Sequence, residues 1–243
     1  MAAAKDNYVF VSISFSERIG NAIYMGQAII GPDGEVLISR QKLRPSGGER
    51  NIWSDGTIDQ LKVVNTTYGR IGTLECWEWV FKQFTSFPVL TINRHFHPSM
   101  TFIMQAQLES IHVGSWPYMP NYNTSDALYW ESAEVNMAAA SMYATNSGAW
   151  TLVPVVGRAA IFDPTGLEVA HINAEVSYND EPMLYHSINT TKFTRSPYNL
   201  NGEQSWGILQ QIVNGWPAEL PKENGTYIDR KTNTVSELVA KMV

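Results

Sequence analysis

Ile71-Gly72-Thr73-Leu74-Glu75-Cys76-Trp77-Glu78 is the stretch on which the reading of this chain turns. Residues 71–74 form a short apolar run of the kind that becomes a buried strand. Cys76 therefore stands where a strand stops and a loop or helix begins. A nucleophile needs such a place, because the sheet holds its backbone while the sulfur faces a cavity. Cys76 is also the chain's single cysteine. A lone cysteine is ordinarily an inert core residue, and only an activated thiolate reacts.

Outward from this stretch the pattern is mixed. Residues 8–15 read as a buried strand, and 22–30 with 35–42 as a hairpin across Gly31-Pro32-Asp33-Gly34, whose residues suit a turn. Residues 61–65 pair with 71–74. Residues 98–109 read as a helix, 111–114 as a strand, and 125–143 as a long Ala/Met-rich helix capped by Ser125 and Asp126. Residues 150–156, 159–162, 168–172 and 183–188 read as strands, with a turn at Asp163-Pro164-Thr165-Gly166. A short helix is expected over 206–213. Strands interleaved with helices place the chain in the α/β class.

The bulk properties narrow the function. With 243 residues, 44 % of them hydrophobic and 16 % charged, the chain is long enough for one sizeable core. A net charge of −6 and the lack of a basic patch argue against a nucleic-acid partner. No run of about 18 apolar residues exists, so no membrane span is expected. One cysteine and no apolar leader fit a cytoplasmic setting. His95, His97 and His112 have no cysteine or carboxylate at zinc spacing, and no glycine-rich phosphate loop is present. No metal and no cofactor are expected.

Three further elements flank the cysteine in order. Arg40-Gln41-Lys42-Leu43-Arg44-Pro45 is followed by Gly48-Glu49-Arg50-Asn51-Ile52-Trp53, and beyond Cys76-Trp77-Glu78 comes His112-Val113-Gly114-Ser115-Trp116-Pro117. Lys42 precedes Glu49 by 7 positions and Cys76 by 34. Together these resemble the nitrilase branch of the carbon–nitrogen hydrolase superfamily, over about residues 7–187. The resemblance implies a four-layer α-β-β-α sandwich and a homo-oligomer. It implies a nitrilase that turns an organic nitrile into a carboxylic acid and ammonia. Cys76 would attack the nitrile carbon and form a thioimidate. Lys42 would support the thiolate and the developing negative nitrogen, with the Trp77 amide as second donor. Glu49 resembles the family's second glutamate, which positions the lysine. Trp77, His112, Trp116 and Tyr118 would line the substrate pocket. Taken alone, Lys42 would be a solvated strand residue in a basic cluster with Arg40 and Arg44, and Glu49 a surface loop residue.

The chain also departs from the family pattern. The family's catalytic glutamate lies in a Phe-Pro-Glu segment farther upstream of the lysine than the 41 residues preceding Lys42 here. The sequence is therefore read as truncated at its N-terminus, with impaired activity. Glu17, in Phe15-Ser16-Glu17-Arg18, matches a later family element. Residues 79–94 form an extra stretch of 16 residues after Cys-Trp-Glu, read as an insertion or a gene-model artefact rather than a lid. Thr151-Leu152-Val153-Pro154 runs almost directly into Gly157, and the family's late Gly-His-Tyr-x-Arg-Pro-Asp element is not recognisable. The expected organisation is a partial hydrolase domain over 1–194 and a C-terminal extension over 195–243. The alternatives are a catalytically inactive scaffold or interaction protein and an amidase of the same superfamily.

Overall fold

The computed structural model describes residues 1–45, 47–76, 98–124, 128–191, 211 and 231–241. A short helix α1 (Ala2–Asn7) leads into strands β1 (Val11–Ile19), β2 (Ala22–Ile30) and β3 (Val36–Gln41), which form an antiparallel sheet in the order β1-β2-β3. A second sheet holds β4 (Val64–Thr66), β5 (Gly69–Glu75), β6 (Ile111–Ser115), β7 (Trp150–Val153), β8 (Ala159–Phe162) and β9 (Glu168–Ile172), in sequence order. Within it β5, β6 and β7 run parallel. Parallel neighbours need long crossovers, and α2 (Pro98–Ala106) and α3 (Ala133–Ser147) lie in them. A last helix, α4, spans Val235–Ala240.

Side-chain alternation assigns the two faces of the larger sheet. Ile71 and Ile111 pack against Ile29 and Ile38 of the smaller sheet, so the two sheets lie face to face. Leu74 points the other way and packs with Met104 of α2 and Met137, Ala140 and Tyr143 of α3. The layering is helix on sheet on sheet, with α1 beside the β2–β3 turn, where Gly34 meets Met1 and Lys5. This is the α/β sandwich that the sequence implied.

Several elements differ from the sequence reading for identifiable reasons. The first strand begins at Val11, because Tyr8 takes a left-handed backbone (φ 55°) that ends α1. It is also an edge strand that leaves Ile13, Phe15 and Ile19 exposed, whereas a buried strand was expected. β4 starts at Val64, and Leu61 enters the core instead of the ladder. The long helix starts at Ala133, not at residue 125: Ser132 is extended, and its carbonyl accepts the amide and the side chain of Asn136. The proposed caps Ser125 and Asp126 lie outside the described residues. The helix ends at Gly148, whose positive φ of 66° lets its amide turn back to the Ala144 carbonyl. β7 stops at Val153, before Pro154, which has no amide for the ladder. Residues 183–188 are not a strand; Met183 and Tyr185 are exposed, and no described strand pairs with them. The stretch 79–94 and all but Gln211 of the helix expected over 206–213 lie outside the described residues.

Candidate active site

Lys42 follows β3 directly. Its amide donates to the Met25 carbonyl at 2.7 Å, carrying the β2–β3 ladder one residue past Gln41. Ile38, Arg40 and Lys42 thus share one strand face, and the packing of Ile38 shows that this face looks at the larger sheet. Arg40 and Lys42 are fully buried, which corrects the picture of a solvated basic cluster. A buried ammonium requires a partner. Lys42 Nζ lies 2.7 Å from Glu49 Oε2, and the glutamate side chain keeps 25 % of its surface in solvent. Arg40 Nη1 donates to Gln27 Oε1 at 2.6 Å, and Gln27 Nε2 donates to Ser115 Oγ at 3.0 Å across the sandwich.

The loop that carries Glu49 both leaves and rejoins the chain at Lys42. Gly47–Asn51 forms one helical turn, and the amides of Ile52 and Trp53 donate to the Glu49 carbonyl, each at 2.9 Å. The loop closes where the Gly56 amide donates to the Lys42 carbonyl at 2.9 Å. A β-carbon on Gly56 would stand 2.7 Å from the carbonyl oxygens of both Gln41 and Lys42, so only glycine allows this approach. Glu49 thereby stands at the middle of one closed loop, seven positions from Lys42 and seven from Gly56.

Cys76 comes directly after β5 and is buried in the core cluster that also holds Leu61, Leu74, Met104, Trp116 and Met137. Leu43, the neighbour of Lys42, packs on the same cluster. Ser115 is the partner of Glu75 across β5–β6, and the bond from Gln27 stacks the Gln27–Arg40 rung over it. Lys42 comes soon after Arg40 on its face, and Cys76 comes after Glu75. Both therefore lie at the same end of the sandwich. Such an arrangement can hold a cation and a carboxylate beside a strand-end thiol.

The remaining expected residues are distributed differently. Trp77 lies outside the described residues. Trp116 is buried, and its Nε1 donates to Asn136 Oδ1 at 3.0 Å, anchoring the strand-end loop to α3. His112 is wholly buried: Nδ1 lies 2.8 Å from Glu109 Oε2, and its ring packs on Tyr143 at a centroid distance of 4.1 Å. Tyr143 in turn donates to Glu109 Oε1. Burial, reinforced by the Glu109 charge, pushes the Tyr143 phenol well above its ordinary value. Tyr118 is 61 % exposed and lines a different space, a 940 Å³ cavity walled by Phe10, Ile29, Ile71, Ile111 and Leu152. Lys42, Glu49, Cys76 and Trp116 do not line that cavity.

Sequence reasoning missed Glu109, Tyr143, Gln27 and Ser115. The Tyr143–Glu109 and Gln27–Ser115 contacts join elements distant in sequence, and only the Ala-rich setting of Tyr143 hinted at burial. Among the described residues, no group of three or more His, Cys, Asp or Glu is placed to hold a metal ion. No described helix is long and apolar enough to cross a membrane.

The sequence profile of the carbon–nitrogen hydrolase family matches residues 1–191. The chain belongs to that family. The chain is 35 % identical over 161 residues to an arylacetonitrilase of Aspergillus kawachii, covering 65 % of this chain and 44 % of the relative. It is 33 % identical over 150 residues to an arylacetone-specific nitrilase of Alcaligenes faecalis (62 % and 37 % covered). It is also 33 % identical over 159 residues to a cyanide hydratase of Alternaria brassicicola (63 % and 39 % covered). The matched span is thus less than half the length of these relatives. Among solved structures, an amidase of Nesterenkonia sp. superposes with a TM-score of 0.55 at 16 % identity, covering 72 % of this chain and 63 % of that one. A Saccharomyces cerevisiae member of branch 10 of the nitrilase superfamily superposes with a TM-score of 0.53 at 16 % identity, covering 71 % and 59 %. At that identity the likeness is one of fold.

Proposed function

We propose that this chain carries the thiol site of a nitrilase, hydrolysing an organic nitrile to a carboxylic acid and ammonia. The observation that carries the reading is the fully buried Lys42, ion-paired with Glu49, at the end of the sandwich where Cys76 closes β5. The Cys76 sulfur adds to the nitrile carbon, and the nitrile nitrogen takes a proton to give a thioimidate. Water adds to that carbon, ammonia leaves, and a second water cleaves the resulting thioester to release the acid and the thiol. The Lys42 ammonium stabilises the thiolate and the negative nitrogen, and Glu49 holds the lysine in place. Relatives named arylacetonitrilase favour an aryl-substituted nitrile over an amide. Turnover is expected to be slow, because the carboxylate at Lys42 is engaged with the ammonium rather than free to take a proton from water.

Two measurements test this reading. Ammonia release from an arylacetonitrile should disappear in Cys76→Ala. Alkylation of Cys76, unambiguous because it is the only thiol, should slow in Lys42→Ala. Release from the matching amide but not from the nitrile would move the substrate class. Equal alkylation with and without Lys42 would remove the lysine from the site.

A further inference from the structure

The C-terminal segment 231–241 lies beyond the span that matches the family, yet it is bonded to the loop that carries Glu49. The helical turn Gly47–Asn51 and its exit leave carbonyl oxygens without partners inside the turn, as every helix end does. Asn233 meets two of them: its Nδ2 donates to the Arg50 carbonyl at 2.9 Å and to the Trp53 carbonyl at 2.8 Å. The Asn233 amide donates to Ser54 Oγ at 2.7 Å, and Ser54 Oγ lies 3.2 Å from the Asn233 carbonyl. One step along, the Asp55 amide donates to the Lys231 carbonyl at 2.9 Å and the Lys231 amide to Asp55 Oδ2 at 2.8 Å. Lys231 Nζ also donates to the Arg50 carbonyl. Asp55 in turn accepts both Nη atoms of Arg50, at 2.8 and 3.3 Å. Ser54, Asp55 and Asn233 are all buried.

The strap is anchored at its far side as well. The Val235 amide donates to the Asn21 carbonyl at 2.7 Å, Thr234 bridges to Ala22, and Asn21 Nδ2 donates to Ser236 Oγ at 2.7 Å. A capping box at Thr234 and Glu237 then starts α4. The segment thus ties the β1–β2 hairpin end to residues 50–55. Those residues set where Glu49 stands, since the Ile52 and Trp53 amides both end on the Glu49 carbonyl.

We propose that residues 231–236 are a positioning strap for the active-site loop, and that Asn233 is a positioning residue acting through Glu49 on Lys42. The proposal rests on the reading of Cys76, Lys42 and Glu49 given above. A short turn with solvent on one side has no rigidity of its own. Closing its carbonyls with a buried side chain from a distant segment supplies that rigidity.

The test uses the full chain. Asn233→Ala, Asn233→Asp, Lys231→Met, Glu49→Gln and the Asn233→Ala/Glu49→Gln double variant are compared by amide hydrogen exchange and by alkylation of Cys76 with iodoacetamide. Asn233→Ala should speed exchange at Ile52 and Trp53 and slow alkylation about tenfold at neutral pH, as displaced active-site groups do. The slowing should fade at alkaline pH, where the thiol ionises without help. In the Glu49→Gln background the same change should slow alkylation no further. Asn233→Asp, with only acceptors facing two carbonyls, should be worse than Asn233→Ala. Lys231→Met, a milder change, should act in the same direction if the others fail to fold. Unchanged exchange at Ile52 and Trp53 overturns the strap. Faster exchange with unchanged alkylation, or equal slowing in both backgrounds, overturns the positioning role. If Glu49→Gln alone leaves alkylation untouched, the underlying site reading fails and the positioning role with it. That result is distinguishable, because the exchange data still report the strap.

Discussion

Glu49→Gln isolates the buried charge. Lys42 has no exposed side-chain surface, so its ammonium depends on the carboxylate 2.7 Å away. Breaking a buried pair from one side costs about 3–5 kcal/mol. Glu49 keeps a quarter of its side chain in water, and a glutamine oxygen still accepts from the lysine. The expected loss is therefore smaller, about 2 kcal/mol. For a chain of this size that is a fall in Tm of about 4–8 °C. Removing both charges in Lys42→Met/Glu49→Gln should recover about 1 kcal/mol relative to Glu49→Gln, because no unpaired ammonium remains inside. Urea and thermal unfolding of the three proteins, followed by near-ultraviolet circular dichroism, measure both differences. If Glu49→Gln stays within about 0.5 kcal/mol of the parent and the double variant is no more stable than it, Lys42 does not rely on Glu49.

Two further expectations concern the surroundings. Tyr143 is held protonated by burial and by Glu109, so its folded value lies well above 10.0. Its contribution to stability is full below the unfolded value and is lost as pH climbs from there toward the folded one. Tyr143→Phe should therefore flatten the alkaline limb of stability while costing about 1–3 kcal/mol near neutrality, where Glu109 loses a donor. Urea midpoints across that range report both, and an unchanged alkaline limb would rule out the phenol as its source. Gly56→Ala places a β-carbon 2.7 Å from two backbone carbonyls and should push the Glu49 loop off Lys42. About 1–3 kcal/mol of stability should be lost and Cys76 alkylation slowed; a fully stable, equally reactive variant would show that the loop closes elsewhere.

The strand-end cysteine and the hairpin turns were legible in the sequence because they rest on local rules. An apolar run that stops at Cys76, Pro-Asp-Gly at a turn, and alternation in residues 22–41 need only neighbouring residues to be read. The spacing of Lys42, Glu49 and Cys76 carried the family, and the matched span agrees. The helix start was misplaced by local reasoning, since Ser125 and Asp126 look as good a cap as Ser132. The choice fell to contacts such as the Ala133 amide on the Pro120 carbonyl.

What the linear chain determined by itself was the class of fold, the turn positions and the order of the chemical groups. What only the tertiary structure decided was their surroundings. Nothing local says that Arg40 and Lys42 are buried and not solvated; the facing sheet, with Ser115 over Gln27, makes them so. Nothing local brings Tyr143 onto the Glu109–His112 pair, or Asn233 onto the carbonyls of Arg50 and Trp53. Burial and ion pairing are properties of the groups that converge from distant parts of the chain, and convergence exists only once the sheets have stacked.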